Sequence, residues 1–202
     1  MVYRTPKHVQ EQKDAKYKHI LDVALRLFAE KGYQNTSIQD ICNSAGISVG
    51  SIYFYFPNKK SIFDAVYANI NSDYLKSVEE AIRGETDLRQ MILKSTRVAV
   101  NSVKSNAHVT NFFLTNSHLA DLKMKRNDWL KEMVAYSKSF LDEAVRNGQL
   151  KPLNTELAAA ANVYSSYYLL RYLSLYNADF DEEEVVNFLF NYTVRGLGLD
   201  LL

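Results

Sequence analysis

Residues 36–63, TSIQDICNSAGISVGSIYFYFPNKKSIF, contain the start and stop signals of two short helices separated by a tight turn. Ser37 and Asp40 have the spacing of a capping box, in which a hydroxyl and a carboxylate satisfy the first amides of a helix. Gly46 is placed to end that helix, because glycine adopts positive φ without strain. Ser48 can then cap the next helix. The stretch predicts a helix, a glycine turn and a second helix.

The second helix of this unit has two dissimilar faces. Ile52, Tyr53 and Phe56 are spaced to point inward. Pro57 stops the helix, and Asn58 can cap the one that follows. The opposite face consists of Val49, Gly50, Ser51, Phe54 and Tyr55.

Two helices joined by a short turn that contains glycine form a helix-turn-helix, whose second helix can enter the major groove of DNA. Small residues at the front of that helix, such as Gly50 and Ser51, let its backbone approach the bases. Lys59 and Lys60 oppose the macrodipole of the next helix, so we expect them to meet phosphate instead. The hydroxyls expected at phosphates belong to Thr36, Ser37, Ser48 and Tyr55.

The segment GISVGSIYFYFPNKKSIF (46–63) resembles the signature of the TetR family of bacterial transcriptional repressors. The wider match begins with ILDVALRLFAEKGYQNTSIQDIC (20–42) and covers roughly Tyr17 to Tyr67. The resemblance implies an all-α homodimer that binds a palindromic operator on double-stranded DNA. It also implies that the operator is released when a small molecule enters the C-terminal domain.

Carried over by position, the resemblance implies a set of DNA-contacting residues. Val49 and Phe54 depart from the polar residues common at these two places, and both exchange hydrogen bonding for apolar contact, as with thymine methyl groups. The operator sequence is therefore not transferable from a relative. The implied contacts are Thr36, Ser37, Ser48, Val49, Gly50, Ser51, Tyr53, Phe54, Tyr55 and Lys59.

The composition agrees with a helical protein of ordinary charge. The chain has 202 residues, 47% of them hydrophobic, with only 7 Gly and 3 Pro, which favours long helices. Residues 1–70 hold nine Lys/Arg against six Asp/Glu, an imbalance too mild to indicate nucleic acid by itself. The one cysteine, Cys42, lies on an apolar helix face and is expected to be a core residue.

About nine helices are expected along the chain. The first runs from about Asp14 to Lys31 after a polar tail, and the fourth from about Asn58 to Arg83. Five more follow at about 87–105, 107–119, 127–147, 155–177 and 182–197, with Thr86, Asn127 or Asp128, Asn154 or Thr155, and Asp181 as candidate caps. We predict an all-α fold: a helix-turn-helix DNA-binding domain at 1–60 with three helices, then a helical effector-binding and dimerisation domain at 61–202.

The last two helices are apolar nearly all round. Such helices are buried on two sides, and in a chain of this size the second side is most simply another subunit. The sequence therefore predicts a homodimer through the last two helices.

The aromatic content, 14 Tyr and 10 Phe with 1 Trp, suggests an apolar cavity for a small hydrophobic or aromatic effector. Fatty acyl chains, aromatic compounds and cationic drugs fit this composition equally. Aromatic stripes at helical spacing are more often core than ligand site. The candidate lining residues are Phe112, Phe113, Trp129, Met133, Tyr136, Tyr164 and Tyr168.

No motif of a common enzyme or cofactor site is present, so we expect neither catalysis nor a cofactor. His118 and Asp121 lie one turn apart and could hold a metal with His108, but an ordinary surface histidine is the simpler interpretation. The N-terminus lacks an apolar signal segment and no apolar run is long enough to span a membrane, so a cytoplasmic protein is expected.

Two alternatives remain open at this point. One is a helical carrier of a hydrophobic ligand with a vestigial DNA-binding head, and the other is a small helical enzyme that uses the cavity. We expect an effector-responsive repressor, and an activator also stays open.

Overall fold

The computed structural model describes residues 6–116 and 126–199 and is entirely helical there. The predicted all-α class and the expectation of about nine helices are confirmed for this part of the chain. The helices are α1 (Lys7–Lys31), α2 (Ile38–Ala45), α3 (Val49–Tyr55), α4 (Lys59–Ile82), α5 (Leu88–Ser105), α6 (Ala107–Thr115), α7 (Arg126–Arg146), α8 (Thr155–Tyr176) and α9 (Glu182–Gly196).

The described residues fall into two compact units, and the division differs from the predicted boundary at residue 60. The first turns of α4 belong with the N-terminal helices, and α6 joins them although it lies some forty residues further along the chain. The first unit draws on Met1–Ile70 and His108–Leu122, and the second on Asn71–Ala107 and Lys123–Leu202.

Three phenylalanines explain why α6 joins the N-terminal helices. Phe28 of α1, Phe63 of α4 and Phe112 of α6 are 0%, 4% and 1% exposed. Their ring centroids lie 5.2 Å apart for Phe28 and Phe63 and 4.9 Å apart for Phe63 and Phe112. Rings at these separations gain attraction beyond the area they bury. The core of the first unit is thus closed by a residue from α6.

The first helix begins earlier than predicted. It starts at Lys7, directly after Pro6, whereas the sequence suggested a polar tail as far as residue 13. Side-chain pairs four residues apart support the added turns: Gln10 donates to Asp14 at 2.8 Å, and Lys7 lies 3.7 Å from Glu11. A polar sequence without an apolar stripe is therefore helical here.

The C-terminal end of α1 is closed by side chains from other segments. Asn116 donates from Nδ2 to the carbonyl of Phe28 at 3.0 Å and accepts the backbone amide of Tyr33 at 2.7 Å. Thr115 donates to the carbonyl of Ala29 at 3.1 Å. The last carbonyls of a helix lack partners within it, and here the side chains add donors to an end where Phe28 also accepts the backbone amide of Gly32.

The second unit contains two apolar clusters. One joins α5, α8 and α9 and the other joins α5, α7 and α8. The caps Asn154 and Asp181 are confirmed, but α5 is capped by Asp87 and not by Thr86, because the Asp87 carboxylate accepts two amides of the first turn. Among the described residues no helix is long and apolar enough to cross a membrane.

Replacing Asn116 by alanine should destabilise the protein by about 1–3 kcal/mol, because the backbone amide of Tyr33 loses its acceptor and the carbonyl of Phe28 loses one of its two donors. Asn35→Ala is the matched control, since its exposed side chain donates a single bond to Lys31 near the same helix end. Chemical denaturation at one fixed protein concentration measures both changes. Equal stabilities for the two variants would contradict the role given to Asn116.

Candidate functional site

The capping box predicted at the start of α2 is present. Ser37 Oγ accepts the amide of Asp40 at 3.0 Å, and the Asp40 carboxylate accepts the amide of Ser37 at 2.8 Å. The Ser37 hydroxyl also donates to that carboxylate at 2.6 Å, and these two hydrogen bonds from Ser37 hold the pKa of Asp40 below its usual value. Ser37 is exposed at the helix start, where a hydroxyl and amides face solvent.

The turn between α2 and α3 has the predicted geometry. Gly46 has φ of 64° in the left-handed region that favours glycine. Ser48 is the cap of α3: its Oγ accepts the amide of Ser51 at 3.2 Å and donates to the Ser51 hydroxyl at 3.1 Å. Both serines are therefore held in fixed positions at the front of the second helix.

One face of α3 is open to solvent. Val49, Tyr53 and Phe54 are 38%, 51% and 69% exposed, and a methyl group added at Gly50 would meet no atom within 4 Å. The prediction that Tyr53 points inward is wrong, because Ile52 alone fills the buried side of this short helix and the next residue lies 100° further round. Tyr53 instead belongs to the exposed face, where it is also a predicted contact.

Aromatic stacking on α1 holds α3 from behind. The ring of Tyr17 stacks on Phe56 at 5.1 Å and lies 6.2 Å from Tyr55. Tyr55 in turn meets Phe54 edge to face at 5.0 Å. The position of the exposed Phe54 is thus supported by a chain of rings that reaches α1.

Thr36 does not present its hydroxyl to a ligand. The residue is 1% exposed, and Oγ1 donates to the carbonyls of Gly32 at 2.8 Å and Leu27 at 3.3 Å. The predicted phosphate contact by this hydroxyl is therefore wrong. The hydroxyl closes the end of α1, a role that its neighbour Ser37 is not placed to fill.

Lys59 also differs from its prediction. Its Nζ donates to the carbonyls of Tyr33 at 2.7 Å and Thr36 at 2.8 Å, and it lies 4.4 Å from the centroid of the Tyr33 ring. Burial lowers the pKa of this ammonium. The donors expected at a DNA phosphate are thus engaged by the loop between α1 and α2, and the assigned phosphate contact is not supported.

Phe112 and Phe113 do not belong with the other candidate effector residues. Phe112 fills the core of the first unit, and the half-buried Phe113 meets Tyr67 edge to face at 5.4 Å in that same unit. Phe112 is 1% exposed and packs against the rings of that core, so its place in an effector cavity stays a prediction.

Tyr164 and Tyr168 lie on the outside of α8. They are 38% and 55% exposed, so the prediction that they line an interior cavity is wrong. The helix has two apolar faces, and these tyrosines lie on the face directed away from buried Ala159 and Leu170. Other large apolar residues exposed on α8 and α9 are Leu157, Tyr172, Leu175, Tyr176, Phe188 and Tyr192.

The remaining candidates form an aromatic cluster in the second unit. Trp129 meets Tyr167 of α8 at 5.7 Å and Tyr74 of α4 at 6.4 Å, both edge to face. Met133 is buried and follows Trp129 by one turn. Tyr136 is half-buried one turn further along α7, where burial, and after it the charge of Glu79, raises its pKa.

No group of three metal-ligating side chains occurs in the described ranges. His118 and Asp121, the alternative metal pair, lie outside those ranges, as do the side chains of Asn127 and Asp128.

The family model described as "Bacterial regulatory proteins, tetR family" matches residues 20–66, the span of α1 through the first turns of α4 that builds this head. The chain is 28% identical over 144 residues to the "Fatty acid metabolism regulator protein" of Bacillus subtilis, covering 70% of the chain and 74% of the relative. Residues 20–66 are a DNA-binding head of the TetR family, and the chain is a DNA-binding transcriptional regulator.

Two further TetR relatives are informative. The "HTH-type transcriptional repressor KstR2" of Rhodococcus jostii is 34% identical over 77 residues, 38% of each chain. The solved structure of "transcriptional regulator FadR from Bacillus subtilis in complex with stearoyl-CoA" has a TM-score of 0.80 at 20% identity, covering 89% of this chain and 98% of that one. The latter likeness establishes that the TetR fold extends through both units.

Sequence reasoning missed two residues of the aromatic cluster and a buried asparagine on the same helix as one of them. Tyr74 and Tyr167 complete the contacts of Trp129, and burial raises the pKa of Tyr74 to about 12. Asn71 lies one turn before Tyr74, is 8% exposed, and its Oδ1 accepts no hydrogen bond from the described residues. An asparagine inside the apolar stripe of α4 was the available signal.

Proposed function

We propose that the protein is a dimeric repressor that binds a palindromic operator and is released by a fatty acyl effector. The observation that supports DNA binding most directly is the open face of α3. Gly50 leaves the backbone of this face accessible, and the large side chains of Tyr53 and Phe54 are exposed next to it. A major groove about 12 Å wide accepts such a helix. A head that no longer bound DNA would not need an exposed face on α3 together with an intact turn at Gly46 and an intact cap at Ser48.

Two kinds of DNA contact follow from the geometry. We assign Ser37, Ser48 and Tyr55 to phosphates, since their hydroxyls lie at the borders of the exposed face. The proposed base-edge contacts are Val49, Gly50, Ser51, Tyr53 and Phe54. Thr36 and Lys59 are not part of the proposed site, because both side chains are bonded to backbone carbonyls.

The dimer is supported by the outer apolar face of α8 and α9. A monomer seldom exposes so many large apolar side chains on two adjacent helices, and a stable interface of about 1,600 Å² needs such a face. Two copies joined there would present two α3 helices to half-sites about 34 Å apart. We therefore place dimerisation in the second unit and operator binding in the first.

The acyl effector is supported by two observations. The aromatic cluster around Trp129 offers apolar walls with the Asn71 carbonyl oxygen as a polar group. The second is the similarity to the fatty acid metabolism regulator protein of B. subtilis and to the solved FadR structure from that species, which is a complex with stearoyl-CoA. Repression is supported by the name of the R. jostii relative, the transcriptional repressor KstR2. The protein works by binding and acts where the chromosome lies, in the cytoplasm.

Replacing Phe54 by alanine should relax base preference. The base pair that the ring contacts would lose a discrimination of about 1–3 kcal/mol, whereas Tyr55→Phe should weaken binding to all sequences alike. Selection from a random duplex library by each purified variant measures both. If Phe54→Ala lowered affinity with an unchanged preferred sequence, the base-reading role would be refuted.

Placing a charge on the outer face of α8 should separate the subunits. Tyr168→Glu would bury an unpaired carboxylate in the proposed interface, so we expect monomers and at least a tenfold loss of operator affinity. Ser139→Glu puts the same charge on an exposed position of α7 and is the control. Sedimentation and DNA titration report the result, and a Tyr168→Glu dimer with normal affinity would rule out this interface.

Stearoyl-CoA should weaken operator binding some 5- to 150-fold, the usual range of allosteric coupling. Trp129 is the chain's single tryptophan, so its fluorescence should change with the same half-saturation as operator release. Free coenzyme A and hexanoyl-CoA are the controls, because they lack a long chain to bury. A fluorescence change without release would separate binding from control, and no effect on either would remove the acyl effector from the proposal.

A further inference from the structure

Two lysines of α1 flank the open face of α3. Lys16 Nζ lies 3.4 Å from the hydroxyl of Ser51, at the front of α3. Lys13 Nζ lies 5.6 Å above the ring of Phe54, the most exposed large side chain of that face. Lys13, Lys16 and Tyr17 share one side of α1 because they are spaced by three and four residues. The stacking of Tyr17 on Phe56 therefore fixes both ammonium groups beside the groove-binding face.

Neither lysine is neutralised in the protein. Their contacts are an aromatic ring and a hydroxyl at the long end of hydrogen-bond distance, and neither forms an ion pair with a described residue. The nearby Lys60 differs, since it pairs with Asp64 at 2.6 Å. Two full positive charges thus remain available next to α3.

Lys59 shows the opposite arrangement. It makes two short hydrogen bonds to carbonyls and stacks over Tyr33, so moving it to a phosphate would strand those carbonyls and open the loop before α2. For Lys13 and Lys16 the contacts that would be given up are weak: a ring 5.6 Å away and a part-buried hydrogen bond of 3.4 Å. Phosphate binding would therefore break only weak contacts of the α1 lysines, whereas at Lys59 of α4 it would break two short hydrogen bonds.

We propose that Lys13 and Lys16 of α1, and not Lys59 of α4, anchor the head on the phosphates that border the groove entered by α3. This inference rests on the proposed DNA-binding role of the face. Each ammonium group is within side-chain reach of a groove wall when α3 occupies the groove. Their contribution is positional: they hold the register of α3 without distinguishing bases.

The test is the salt dependence of operator binding by the full-length protein. Each phosphate neutralised contributes about 0.9 to the slope of log affinity against log salt. Lys13→Gln and Lys16→Gln should each reduce the slope by about 1.8 in a dimer and weaken binding to all duplexes alike. Lys13→Arg and Lys16→Arg should restore it. The probe is a duplex enriched from a random library by the wild-type protein.

Two comparisons make the result specific. Lys18 is exposed on the other side of α1, so Lys18→Gln should leave the slope unchanged. Lys59→Gln should lower the melting temperature and leave the slope of the folded protein unchanged. The inference is overturned if Lys13→Gln and Lys16→Gln keep the wild-type slope, or if Lys59→Gln lowers it by the same amount. A wild-type protein without salt-dependent binding would instead overturn the proposed function and this inference with it.

Discussion

The C-terminal end of α1 is the point on which the DNA-binding head depends. A helix leaves its last carbonyls without donors in the next turn, and here side-chain donors come from two places in the chain. One is the Thr36 hydroxyl, and the other is the neighbouring pair of the Thr115 hydroxyl and the Asn116 amide. The Lys59 ammonium satisfies the carbonyls of the loop that follows. Remote segments are thereby tied to one another through backbone groups.

The position of α3 depends on its neighbours more than on its own buried surface. The helix has a single buried residue inside it, Ile52, and little contact area with which to hold itself in place. Its position is determined by α1, through the ring of Tyr17, and by the capped turn at Gly46. A short helix that gives its large side chains to solvent needs a rigid support, and Tyr17 of α1 supplies it together with the capped turn.

The aromatic residues form three groups that differ in burial and in role. Phe28, Phe63 and Phe112 close the core of the first unit. Trp129, Tyr74 and Tyr167 form a half-buried cluster in the second, and the tyrosines on the outer side of α8 remain exposed. Residues of one chemical kind thus serve cohesion, the proposed effector site and the proposed dimer, and their surroundings make the difference.

Local sequence determined the helices, their caps and the turn before α3. Ser37, Gly46 and Ser48 act on neighbours within four residues, so the letters alone suffice. Helical periodicity also identified both apolar faces of α8. Periodicity does not show which face packs against other helices, because that depends on elements far away in the chain. The sequence alone therefore predicts an interior position for Tyr164 and Tyr168, which are exposed in the structure. The sequence also does not reveal why Thr36 and Lys59 are unavailable to phosphates. Their partners are carbonyls at the end of α1 and in the loop after it, which only the tertiary structure brings within hydrogen-bond distance.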